Sequence, residues 1–443
     1  MHLILTNPSE YLKNDYQYLA NRTLDLERQG LIVRDGNNQE RVPASNGIAE
    51  EMDVDGAEDE FASAPSAAHG SKVIVIHVGS QNLRIGLASE ALPKTVPMVV
   101  ARKWQENESE EYGSEPLPKR RKTEHDESLV ECDKLFGDDF ASHYLTMQED
   151  LKKSMREHKR RVLPNSKELV VNYNKRSSPE IISEHNDPHR IEWTEIPADP
   201  AKAPDYFTGN EALRIPEQSK PRYKLFWPWR HGTVNERDYT QKNQLFNDFF
   251  LIISDAIRAQ LGLRRKRDWS QYDCVFVVPD LYEKAVVVSV LDHLMREFSF
   301  HRVCFTQESL AASFGGGAAN ACIVDVGHQK TTICCVDEGM CIEDSRVNLK
   351  YGGADVTEAF MKMMLFDHFP YQEINLRRRY DALLSSELKH KYCTMREDDI
   401  TVQLYDFYLR VYGQNTRKYY FKAYDETLLS TMVCLLIRNG NEP

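Results

Sequence analysis

Residues 72–88 read KVIVIHVGSQNLRIGLA. Val73, Ile74, Val75, Ile76 and Val78 form a β-branched run, as expected of a strand covered on both faces. Gly79 ends the run, and Ser80, Gln81 and Asn82 are turn formers. Alternating apolar positions resume from Leu83, with Gly86 where a side chain would not fit. Residues 321–336, ACIVDVGHQKTTICCV, repeat the design more than 200 residues later. The pattern predicts two strand–turn–strand units of one type. Turns of this kind point backbone N–H groups outward and can bind phosphate. An ordinary core hairpin would carry the same pattern.

Other segments follow helical or strand periods. Residues 9–28 read as a polar helix carrying Tyr11, Tyr16, Tyr18, Leu19 and Leu24. Residues 35–70, with uncompensated Glu50, Glu51, Asp53, Asp55, Glu58, Asp59 and Glu60, read as a disordered linker. A helix is predicted over 141–162. Leu245, Phe249, Ile252, Ile253, Ile257 and Leu261 recur at helical spacing, with Arg264, Arg265, Lys266 and Arg267 expected to cap that helix's C-terminal end. A strand at 274–278 and helices at 284–298 and 307–314 follow, the last ending at Gly315, Gly316 and Gly317. Residues 399–413, DITVQLYDFYLRVYG, mix helix and strand signals.

At 443 residues the chain can hold two domains or one bilobed body. Hydrophobic residues make up 41%, yet a mean hydropathy of −0.56 requires a very polar portion. A net charge of −12 excludes polyanion binding by bulk electrostatics, so any nucleic-acid contact must be local. The nine cysteines show no CxxC spacing and read as small reduced hydrophobes, with no metal site expected. No window approaches a membrane span, and the N-terminal apolar stretch is too short for a secretory signal.

Two basic clusters stand out against this acidic background. Lys119, Arg120, Arg121 and Lys122 follow Pro118 in a polar setting that suits nuclear import. Lys152, Lys153, Arg156, Lys159, Arg160 and Arg161 crowd the end of the predicted 141–162 helix. Lys152, Arg156 and Lys159 or Arg160 would share one face, able to follow a DNA phosphate backbone without reading bases. A solvated charge run would look the same in both places.

The paired hairpins resemble those of the actin, hexokinase and heat-shock-chaperone superfamily, and specifically actin-related proteins. YFTGNEA (206–212), FWP (226–228), HGTVN (231–235), VFVVP (275–279), VCFTQES (303–309), and Arg346 with YGGAD (351–355) carry the likeness further. It covers roughly residues 71–103 and 203–430. The wording VIVIHVGSQNLRIGLAS, TVPMVVARK and DITVQLYDFYLRVYG points more narrowly to a subunit of the INO-eighty class of nuclear chromatin remodeller.

The resemblance implies an α/β actin-like bilobed fold, two ribonuclease-H-like cores around a nucleotide cleft. An N-terminal extension covers 1–70. The first lobe takes 71–103 and 203–317, interrupted over 104–202 by a charged insertion expected to project from the body at the second subdomain. The second lobe takes 318–443. Actins continue past this point with an adenine-binding turn and a closing segment, so the second lobe is expected to be incomplete and to expose surface meant for a core. Residues after 430 do not look like an actin continuation.

By the same resemblance the candidate nucleotide-binding residues are Gly79, Ser80, Arg84, Gln307, Asp325, Gly327 and Gly353. Arg84 stands for a phosphate-contacting Lys, Gln307 for the water-orienting Gln, and Asp325 for the second-hairpin Asp. Three departures weaken the site. His77 replaces an Asp and cannot supply the charge that holds hydrated magnesium. Gln81 and Gln329 replace glycines, placing side chains where a phosphate would lie, and His328 replaces a further Asp.

ATP binding is therefore doubtful, and no catalytic residue or metal is expected. The expected role is a non-catalytic nuclear remodeller subunit. It would act as a scaffold and contact nucleosomes or linker DNA, in transcription regulation and DNA repair. Its expected partners are a helix of the remodeller ATPase, actin and other actin-related proteins, with no membrane. The alternative is an actin-like ATP-binding protein with weak ATPase activity, which would need an acidic residue at or near position 77.

Overall fold

A computed structural model describes residues 2–5, 33–34, 40–41, 70–104, 140–160, 164–188, 190–197 and 199–432. The first three segments are described in backbone alone. The proposed 9–28 helix, most of the 35–70 linker, the 119–122 cluster and the residues after 432 lie outside this set.

The first lobe is built on a five-stranded sheet. Asp273–Val278 lies between Arg302–Gln307 and Val73–Val78, parallel to both. Asn82–Leu87 and Lys94–Pro97 extend it antiparallel. Ile74, Ile76 and Val78 are fully buried, while Val73, Val75 and His77 on the opposite face are half-buried. The buried face meets the Lys242–Gln260 helix through Leu245, Phe249, Ile252, Ile253 and Ile257, so the helical spacing in the sequence is the packing stripe. A smaller sheet of Arg222–Phe226, Val100–Trp104 and Tyr206–Thr208 covers a second cluster around Val99, Phe207 and Ile215.

The second lobe repeats the hairpin. Ala321–Val326 pairs antiparallel with Thr331–Asp337, which also carries Met340–Cys341 and Val347–Leu349. His2–Leu5 adds an antiparallel strand to the outer edge of Ala321–Val326, so part of the 1–70 extension belongs to this lobe. Met340 and Val347 lie exposed on these strands, with Ile342 and Tyr351 exposed beside them. Farther out, Gln403–Leu409 and Thr416–Ala423 form a hairpin packed on the Gly353–Phe366 and Arg379–Tyr392 helices. Of the mixed 399–413 segment, Gln403–Leu409 is thus strand.

The described part of the insertion, from residue 140 on, does not project from the body. Its helices, Phe140–Glu157 and Ser166–Arg176, dock on the second lobe, where Tyr144, Leu151, Met155 and Val170 cluster with Met363, Ile400, Tyr424, Leu428 and Leu429. Glu180–Ile182 then joins the Thr416–Ala423 edge. The cause is a buried ionic knot. The Lys167 ammonium lies 2.8 Å from Asp367, 2.5 Å from Glu426 and also pairs with Asp425. The Tyr144 hydroxyl donates to Asp367 at 2.7 Å. Asn174 exchanges hydrogen bonds with the backbone of Lys422, mimicking one more strand residue. From there the chain returns to the first lobe, where Thr194 bonds to Arg214 and Glu211 and Ile196 joins the Val99 cluster.

Two smaller corrections concern basic residues. The insertion's first helix stops at Glu157 rather than 162, and Lys159 takes a left-handed φ of 55°. Residues 264–267 do not cap the 242–260 helix; Arg264 and Arg265 lie in a loop, Arg265 pairs with Asp268, and Lys266 starts a short helix. The carbonyls they would have met are followed by Leu261 and Gly262, which turns the chain away at φ 70°.

Three carboxylates against one ammonium leave the knot short of positive charge. Burial pushes Asp367 and Asp425 upward, Asp425 to about 6, while Lys167 is held above its ordinary value by its carboxylate neighbours against burial. Lys167→Met should cost about 3–5 kcal/mol in denaturant unfolding, because it strands buried charge. Unpaired carboxylates have raised folded pKa values, so the deficit should be smaller at pH 5 than at pH 8. A loss under 1 kcal/mol at pH 8 would show that the knot does not anchor the insertion.

Candidate functional site in the cleft

The two predicted turns share one geometry. Gly79 N–H donates to Asn82 O at 2.9 Å, and Gly327 N–H donates to Lys330 O at 2.8 Å. A Cβ at Gly79 would sit 2.9 Å from Asn82 O, and one at Gly327 would sit 3.0 Å from Lys330 O. Both glycines are therefore required to close their own turns. Their N–H groups face inward, contrary to the expectation of outward-pointing amides at these positions.

Between the turns lies a residue the sequence reading passed over. Glu308 opens the Glu308–Gly316 helix, directly after Gln307, and is 6% exposed. One carboxylate oxygen lies 3.2 Å from His77 Nε2 on the first hairpin. The other lies 2.7 Å from Lys330 Nζ on the second. Burial opposes its charge, but the His77 hydrogen bond and the Lys330 charge outweigh it and hold the Glu308 pKa down at about 2. Placement at a helix N-terminus further favours a negative side chain.

Around this core the second hairpin is tied down on both sides. His231, from the first lobe, donates through Nδ1 to Gln329 O at 2.8 Å, and its own N–H reaches Gln329 Oε1 at 3.4 Å. Gln329 is thus tied to the first lobe through both its backbone carbonyl and its side chain. Gly353 N–H and Ala354 N–H donate to Gly327 O and His328 O at 2.8 and 2.7 Å, so turn carbonyls cap the Gly353–Phe366 helix. Lys389 Nζ donates to Gly353 O at 2.7 Å. Burial, with the Lys389 charge beside it, lowers the His328 pKa to about 4 and keeps that imidazole neutral near pH 7.

The structure brings Gly79, Ser80, Gln307, Asp325, Gly327 and Gly353 to these two hairpins and the segments they touch. Asp325 is half-buried opposite Thr332. Arg84 lies opposite His77 across the first hairpin and is exposed. Glu308, Lys330, Lys389 and His231 complete the site. Glu308 lies inside the quoted VCFTQES stretch, and Lys330 is two residues past His328, but no spacing in the sequence couples them.

An acidic group is therefore present near position 77, yet both its oxygens are engaged. An ammonium ion sits where a hydrated cation would need to approach, so these residues do not fit a magnesium site of the actin type. Arg84, exposed on the first hairpin, remains suited to an anion.

The proposed DNA-contacting residues are dispersed. Lys153 and Arg156 are exposed on the insertion helix, and Lys152 is half-buried. Lys159 lies beyond the helix end, and Arg160 pairs with Asp398. Arg161 is outside the described residues. The shared face thus shortens to the helical residues, with Lys159 beside them. Among the described residues, no helix is long and apolar enough to cross a membrane.

Similarity to known proteins covers this whole region. The family model described as Actin matches residues 68–411. "Probable actin-related protein 8" of Schizosaccharomyces pombe is 41% identical over 364 residues, 82% of this chain and 53% of that protein. "Actin-like protein ARP8" of Saccharomyces cerevisiae is 32% identical across 96% of this chain and 46% of its own length. "Actin-related protein 8" of Homo sapiens is 32% identical over 81% and 55%. The solved structure of "Human actin-related protein Arp8 in its ATP-bound state" matches with a TM-score of 0.68 and 30% identity, covering 82% of this chain and 69% of that one. The chain spans about half the length of the curated relatives it matches.

Glu308→Gln should remove the Lys330 ion pair, weaken the hydrogen bond to His77 and leave the largely covered Lys330 without a counter-charge, at about 3 kcal/mol near neutral pH. The folded pKa of Glu308 lies below its ordinary 4.5, so its stabilisation is present above 4.5 and lost as pH falls toward 2. Unfolding of both proteins across this range should show the gap closing. A gap that is constant with pH would contradict the ion pair.

Proposed function

The chain belongs to the actin family, and we propose that it is a non-catalytic actin-related subunit of a nuclear, ATP-dependent chromatin remodeller of the INO-eighty type. In this reading it is a scaffold that binds a helix of the remodeller ATPase, actin and other actin-related proteins, and contacts nucleosomes or linker DNA in transcription regulation and repair. The Glu308 bridge carries the non-catalytic part. Phosphoryl transfer in P-loop NTPases and kinases depends on a metal that neutralises the phosphates and on a positioned nucleophile. Here the buried Glu308 carboxylate is paired with the Lys330 ammonium and hydrogen-bonded to His77. The remodeller assignment draws on similarity to proteins named actin-related protein 8 and on the wording of the sequence. Nuclear localisation rests on the 119–122 cluster.

ATP is the nucleotide this reading admits, as a bound anion without turnover. Gly79, Ser80, Arg84, Gln307, Asp325, Gly327 and Gly353 would lie along it, and ATP supplies there a polyanion against Arg84. A relative solved with ATP bound favours this. The second reading, a weak ATPase, draws on the same relative and on Glu308 as an acid near position 77. Incubation of the full chain with magnesium and ATP should give no phosphate release above background. Robust release that is lost in Gln307→Ala would establish the second reading instead.

DNA contact is assigned to the end of the insertion helix and the turn after it. Duplex binding should be independent of sequence and weaken steeply with salt. Changing Lys153, Arg156 and Lys159 together to Ala should reduce the log–log salt slope by about 3, one for each phosphate contact removed. An unchanged slope and affinity would remove this segment from the interface.

A further inference from the structure

Apart from the cleft, one cluster joins the two lobes through side chains that no sequence spacing groups together. Cys334 lies on Thr331–Asp337 and is fully buried. The chain turns back so that Cys341 pairs with Val336, two residues on from Cys334, which puts the two sulphurs on one face of the sheet. Asp280, from the end of the first-lobe strand Asp273–Val278, meets them and is 1% exposed. The Cys334 and Cys341 sulphurs and one Asp280 carboxylate oxygen lie within 4.8 Å of one another.

We propose that Asp280, Cys334 and Cys341 form a binding site for a thiophilic divalent cation, zinc by its ligand chemistry, that ties the first lobe to the second. Two thiolates and a carboxylate are a ligand set that zinc accepts, at about 2.3 Å to sulphur and about 2.0–2.2 Å to oxygen. Tetrahedral placement at those lengths requires the ligand atoms to be about 3.5–3.8 Å apart, inside the 4.8 Å bound on the cluster. A solvent molecule is the fourth ligand.

The surroundings match such a site. Asp280 is held by Ser309, whose N–H donates to Oδ1 at 3.1 Å and whose hydroxyl donates to Oδ2 at 2.5 Å. Outer contacts of this kind fix a metal-binding carboxylate. Binding expels one proton from each thiol to solvent. The resulting centre carries one net negative charge. Arg346 stands beside it, its Nη2 donating to the Cys341 carbonyl at 3.3 Å, and its buried Nε has no hydrogen-bond partner.

The test is anaerobic titration of the reduced, chelator-stripped full chain with cobalt(II), which reports thiolate ligation by a charge-transfer band. The expected result is a band saturating at one equivalent and displaced by zinc. Cys341→Ser and Asp280→Asn should abolish saturation at one equivalent while circular dichroism shows an intact fold. Cys341 is half-buried, so its substitution keeps the test available if Cys334→Ala does not fold. Changing Cys322 and Cys335, a cross-strand pair beside Cys334 in the same sheet, should leave the band in place. No stoichiometric band in the unaltered chain, a band that survives Cys341→Ser, or one that disappears only with Cys322 and Cys335 would each overturn the proposal.

Discussion

A single carboxylate, that of Glu308, holds the cleft together. Burying an ion costs several kcal/mol unless its oxygens are satisfied. Here one oxygen meets His77 from the first hairpin and the other meets Lys330 from the second. The two halves of a duplicated design are thereby fixed at their turns by protein atoms. His231 adds two contacts to Gln329 across the same gap, and the Lys330 stem packs on Gly232, where a Cβ would lie 3.0 Å from Nζ. The chemistry that the fold reserves for phosphates and a metal is thus partly replaced by internal charge pairing.

The insertion bridges the lobes differently. The insertion anchors on the second lobe through Lys167 and its three carboxylates, and then crosses to the first lobe at Thr194 and Ile196. On the way Asp187 receives two hydrogen bonds from Arg410, at 2.7 and 3.1 Å, and Trp193 meets Tyr412 edge-on. Arg379 of the second lobe donates to the Ile215 carbonyl of the first. A segment that reads as a charged excursion is therefore a strap over both lobes. Its basic end remains exposed because Tyr144, Leu151 and Met155 claim the other helix face.

Much of the fold was legible in residue order. The two β-branched runs ending in glycine located both hairpins, and the 245–261 stripe located the helix beneath the first sheet. What escaped were contacts between segments far apart in the chain. Glu308 and His77 are separated by 231 positions, and Lys167 and Glu426 by 259, and neither pairing leaves a local pattern. The direction in which the insertion folds was misread for the same reason. The helix itself was expected, but the surface it covers lies in the last third of the chain. The end of the insertion helix was misplaced because basic residues continue past it, and only the backbone at Lys159 reveals the break.

The most direct test of the bridge is a double-mutant cycle on unfolding free energy with His77→Leu and Lys330→Met, singly and together. The two side chains belong to different lobes and share one carboxylate. If Glu308 couples the turns, the two losses should be non-additive by about 1 kcal/mol or more. Losses that add to within about 0.5 kcal/mol would show that the hairpins are held independently and would contradict the account.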